Sequence, residues 1–133
     1  MEYKKSYRGF ILWLLGYTVA VFLPLPLKAE AAIALRLVFN MTSAGMVLLM
    51  WIIWRTESVY WINGTTFEQA RDVGSERRKA FAAAHLKVFA RFAAAYALFS
   101  LIMQWRHISY VYDIVVFNLG IFAAALSTLR IRL

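Results

Sequence analysis

Apolar positions in this chain gather into four long runs, separated by short polar breaks. The runs extend from Phe10 to Leu27, Ala31 to Trp54, Leu86 to Trp105 and Ile108 to Leu129. A helix that crosses the ~30 Å hydrocarbon layer takes about 20 apolar residues. Each run is near or above that length. The pattern predicts an all-α polytopic membrane protein, one domain over residues 1–133 with four transmembrane helices. The breaks at Lys28 to Glu30 and at Arg106 with His107 are short. They predict two antiparallel hairpins, span one with span two and span three with span four.

The stretch from Arg55 to His85 is the one sizeable segment expected outside the bilayer. Tyr60, Trp61 and Phe67 suit the headgroup level, where amphipathic rings collect. Asn63-Gly64 marks a turn. Thr65-Thr66-Phe67-Glu68 fits a capping box, which predicts a short amphipathic helix from Thr66 to Val73 that stops at Gly74. Ser75 then reads as the cap of a second helix beginning at Glu76. No Gly or Pro intervenes before Trp105, so this helix is expected to run straight into span three. At the amino end, Lys4, Lys5 and Arg8 precede an apolar run in the manner of a secretory leader. The run is longer than a leader's apolar region, and it is expected to be a retained first span ended by Pro24 and Pro26.

Composition changes the picture little. Hydrophobic residues are 62% of the chain, against roughly 45–50% in soluble domains. Charge adds orientation. The expected side holding both termini and the middle loop carries Lys4, Lys5, Arg8, Arg55, Arg71, Arg77, Arg78, Lys79, Lys87, Arg91, Arg130 and Arg132. The opposite side has Lys28, Arg36 and Arg106. A split of 12 against 3 places the termini and loop in the cytoplasm of a bacterial plasma membrane. The net charge of +8 is therefore expected to meet anionic headgroups, not nucleic acid. Arg77, Arg78, Lys79, Lys87 and Arg91 form the expected headgroup-binding or partner-docking cluster.

Chemistry inside the spans centres on few residues. Ionisable groups there are costly and face the bundle interior. Arg36 and Asp113 each lie about five residues inside the outer ends of spans two and four, so they share a depth. A guanidinium matches a carboxylate bidentately, which predicts an interhelical clamp. Asn40 and Ser43 continue a polar stripe down span two. Asn118 in span four is expected to bond across to Asn40 or to another subunit. Small residues at Ala83, Ala90, Ala94 and Ala97, and at Gly120, Ala124 and Ser127, predict close packing of span three on span four.

Nothing in the chain spells out a reaction. It has no cysteine, no His-Glu-x-x-His, no Gly-rich phosphate loop and no paired carboxylates. His85 and His107 lie near opposite membrane faces, so no metal site is expected, and no cofactor either. Three function classes remain in view. The first is a non-enzymatic accessory, regulatory or protective subunit of a membrane complex. The second is a homo-oligomeric transporter or channel using Asp113 and the Arg36–Asn40 stripe. The third is a membrane enzyme acting on lipid or peptide at the cytoplasmic loop.

Overall fold

The computed structural model describes residues 3–24 and 28–133. Five α-helices follow in order: α1 (Arg8–Phe22), α2 (Ala31–Thr56), α3 (Phe67–Asp72), α4 (Ser75–Trp105) and α5 (Val111–Thr128). A single 3₁₀ turn, Val59–Trp61, sits between α2 and α3. Among the described residues, α2, α4 and α5 are long and apolar enough to cross a membrane. The fold is all-helical, as the hydrophobic pattern predicts, and its long apolar helices mark an integral membrane protein.

The first run behaves differently from the other three. Its helix has 15 residues, which at 1.5 Å each spans about 22 Å, short of the hydrocarbon layer. The last turn tightens through a bond from the Leu23 amide to the Ala20 carbonyl (3.2 Å), just before Pro24. Proline brings no N–H with which to continue the ladder. The rest of the expected span, Leu25 to Leu27 with Pro26, lies outside the described residues.

Consecutive long helices run antiparallel. Trp13 donates its indole N–H to the Gly45 carbonyl (2.9 Å), and Tyr17 donates to the Thr42 hydroxyl (3.2 Å), which sets α1 against α2. Gly45 is required there: a Cβ would stand 2.5 Å from the Tyr17 ring. α4 lies between α2 and α5 and packs most extensively on α2. Gly120 of α5 admits the Phe92 ring, which a Cβ would meet at 2.6 Å. The small residues of span four thus receive an aromatic from span three, while Ala94 faces outward.

Three chain segments meet at one end of the bundle. The Tyr3 hydroxyl donates to the Glu57 carbonyl (2.6 Å), and the Tyr60 hydroxyl donates to the Ser6 carbonyl (2.8 Å). Arg77 donates to the Leu133 carbonyl (3.1 Å). Tyr60 is consequently buried beneath the amino-terminal strap.

Two expected caps are shifted. Thr66, not Thr65, caps α3, accepting from the Gln69 amide (3.1 Å) while the Gln69 side chain accepts from the Thr66 amide (2.9 Å). The Thr65 amide is taken by the Ile62 carbonyl (3.2 Å), so the turn before it selects the register. Ser75 is the first residue of α4, and Gly74 takes the cap position. The Ser75 hydroxyl instead donates to Glu57 Oε1 (2.6 Å). α4 then runs unbroken for 31 residues into the apolar stretch.

Candidate functional site: a buried ion pair joining three helices

Arg36 leaves the first turns of α2 and points between α4 and α5. Its Nε and Nη2 both donate to Asp113 Oδ2, at 3.0 and 2.9 Å. Nη1 donates to Gln104 Oε1 (2.6 Å) and Nη2 also to the Ile108 carbonyl (2.7 Å). The pairing is not the fork-on-fork geometry that residue types alone suggest. Both nitrogens converge on one oxygen, which frees Oδ1 to accept from the Tyr96 hydroxyl (3.2 Å). Asp113 lies in the first turn of α5, where the helix dipole favours an anion. Asp113 is 0% exposed and Arg36 6% exposed. No buried side-chain N or O among the described residues lacks a partner.

The polar stripe continues inward. Asn40 donates to the Ser100 hydroxyl (2.9 Å) and to its own helix at the Arg36 carbonyl (2.8 Å). Ser43 is buried and turns its hydroxyl back to the Phe39 carbonyl (3.1 Å). Below the ion pair an aromatic wall closes the space. Phe39 stacks on Phe117 at 4.2 Å between centroids, and Tyr96 meets Phe117 edge-on at 5.0 Å. Water-excluding rings around a compensated charge pair strengthen each of its bonds, because the local dielectric is low.

Asn118 does not join this network. It is exposed and donates to the Ile114 carbonyl of its own helix (2.7 Å). Tyr96, Ser100 and Gln104 do join it, and the sequence reading passed over them. Their spacing of four along α4 was the available signal, since it places all three on one helical face.

A second charged cluster lies at the other end of α2. Glu57 ends that helix in the left-handed region, φ 58°. Its carboxylate pairs with Arg78 (2.8 Å) and Lys79 (3.6 Å) and accepts from Ser75. Arg78 also donates to the Ala70 carbonyl (3.0 Å) and to the Val73 carbonyl, and its guanidinium lies 4.2 Å from the Tyr3 ring centroid. The expected headgroup cluster is therefore divided. Arg78 is 9% exposed and holds α3 to α4, while Arg77, Lys79, Lys87 and Arg91 remain on the surface. Burial pushes the Glu57 carboxyl up. The Ser75 and Arg78 hydrogen bonds and the Arg78 and Lys79 charges outweigh that and hold it below the usual range. Burial likewise pushes the Tyr3 hydroxyl up to about 12, against the lowering charge of Arg78.

A pH dependence follows. Glu57 has a depressed folded-state pKa, so its stabilisation is fully present above the ordinary carboxyl value of 4.5. It is lost as pH falls through the folded value. Acidification below 4.5 should lower the melting temperature of the wild type more than that of Glu57→Gln, measured in detergent. Equal acid sensitivity of the two proteins would refute this role.

Geometrically, the Arg36–Asp113 site can clamp helices, with both carboxylate oxygens engaged by donors of the protein. Comparison with known proteins adds no family to this reading: the chain matches no protein-family model, no curated protein and no solved structure.

Proposed function

We propose that this chain is a non-enzymatic subunit of a membrane complex, with an accessory, regulatory or protective role. The observation that carries the reading is the state of Asp113. It is the one carboxylate within the membrane-length apolar runs. It is fully buried, and both its oxygens are committed to Arg36 and Tyr96. A transport site needs a carboxylate that exchanges partners with an ion, a proton or water. Here the charge joins α2, α4 and α5 into one body. What the molecule presents outward is long apolar surface, for instance Val115, Leu119, Phe122 and Leu126 along α5. Such surface suits lipid and the flank of another membrane protein.

In this proposal the first apolar run is a fourth span. Both termini and the 55–85 segment face the cytoplasm of a bacterial plasma membrane, in line with the Lys/Arg bias. The meeting of Tyr3, Glu57, Arg77 and Leu133 at one end supports a shared side for those segments. Purification in mild detergent from native membranes should recover a second membrane protein at constant stoichiometry. In the same cells, Ser6→Cys and Ser75→Cys should resist a membrane-impermeant thiol reagent until the membrane is permeabilised. Recovery of the chain only with copies of itself would overturn the subunit reading in favour of a homo-oligomeric transporter.

A further inference from the structure

A cavity of about 770 Å³ opens beside the carboxyl-terminal end of α5. Its lining is mixed. Ala125 and Leu129 supply an apolar wall, Asn63 and Asp72 come from the segment before α4, Arg132 from the tail, and His85 from α4. The volume lies in the 300–1,000 Å³ range of small-molecule sites. It sits where an 18-residue apolar helix ends, and a helix of that length crossing a bilayer would end near the membrane–water boundary.

His85 is the informative group. It is 3% exposed. Its Nδ1 lies 3.0 Å from the Phe81 carbonyl. A carbonyl only accepts, so in the neutral ring the proton is on Nδ1 and Nε2 carries a lone pair. Nε2 has no hydrogen-bond partner among the described residues; since no sealed side-chain nitrogen there goes unpartnered, Nε2 keeps access to open space, and His85 is one of the residues that line the cavity. A side chain buried to this degree ordinarily has both nitrogens satisfied. The cavity lining thus includes a histidine with an unused acceptor and charges of both signs, Asp72 and Arg132.

We propose that this cavity binds one phospholipid whose headgroup joins a primary ammonium to a phosphate. The ammonium N–H groups donate to His85 Nε2 and Asp72, and Arg132 donates to the phosphate. The lipid's glycerol end meets Ala125 and Leu129. Its acyl chains continue along the exposed apolar residues of α5, Leu126 and Phe122. A headgroup with opposite charges fits a lining that carries one carboxylate and one guanidinium better than a purely anionic one does. The site rests on the membrane assignment and not on the subunit reading.

The test compares two zwitterionic lipids of identical chains, phosphatidylethanolamine and phosphatidylcholine. They share the phosphate, but the quaternary ammonium of the second has no N–H to donate. The delipidated full-length protein is titrated with each and read by native mass spectrometry. Wild type should retain phosphatidylethanolamine roughly five-fold better, the worth of about one net hydrogen bond. His85→Phe keeps a ring beside Phe81 and should abolish the preference. Ala125→Trp fills the cavity from its wall, leaves His85 in place, and should reduce retention of both lipids. Should His85→Phe fail to fold, the Ala125→Trp result decides. Equal retention of the two lipids by wild type, a preference that survives His85→Phe, or undiminished retention in Ala125→Trp would overturn the proposal.

Discussion

Asp113→Ala should lower the unfolding free energy by about 3–5 kcal/mol, and Arg36→Ala by a comparable amount. The cause is the stranded partner. Without Asp113, the guanidinium keeps Gln104 and the Ile108 carbonyl but loses its counter-charge in a closed site. Without Arg36, the carboxylate keeps one hydroxyl, that of Tyr96. The double variant should lose clearly less than the sum, because neither charge is then left alone. Thermal unfolding in one detergent, run as a double-mutant cycle, measures this. Simple additivity would show that the pair carries no coupling. Exchanging the two residues should rescue only part of the loss. The swap puts a cation at the amino end of α5, against its dipole, and strips Gln104 and Ile108 of their donor.

Ala83→Pro should cost about 3 kcal/mol or more. Position 83 is inside the continuous α4, between the buried Ala82 and Phe81 on one side and His85 on the other. Proline removes the amide bond to the Lys79 carbonyl and drives its ring into that turn. A kink there would pull Arg78 and Lys79 away from Glu57, and so loosen α3 and the amino-terminal strap. Ala83→Gly, which adds flexibility alone, should cost about 1 kcal/mol. Far-UV circular dichroism with melting curves separates the two. A proline variant as stable as the parent would mean that α4 is already interrupted near this position.

Much of the architecture was legible from local pattern. The long helices follow from apolar runs of membrane length, because in hydrocarbon every backbone amide must bond within its own segment. The Arg36–Asp113 approach was also readable, since two opposite charges at equal depth in apolar runs have few other partners. Arg78 was not readable. It stands between Arg77 and Lys79 in a basic triplet, and only the rotation of α4 beneath Glu57 turns that one guanidinium inward.

By itself, then, the sequence determined that the chain is helical, where its longest apolar helices lie, and the charge bias between their ends. Those properties depend on residues near one another along the chain. The tertiary structure alone decided that Tyr96 takes the second oxygen of Asp113, that Asn118 stays outside the network, and that His85 lines a cavity. Each of these depends on which face of a helix meets its neighbour. That rotation is set by how rings such as Phe92 fit beside Gly120 and Tyr17 beside Gly45, a matter of shape between distant segments that no local spacing records.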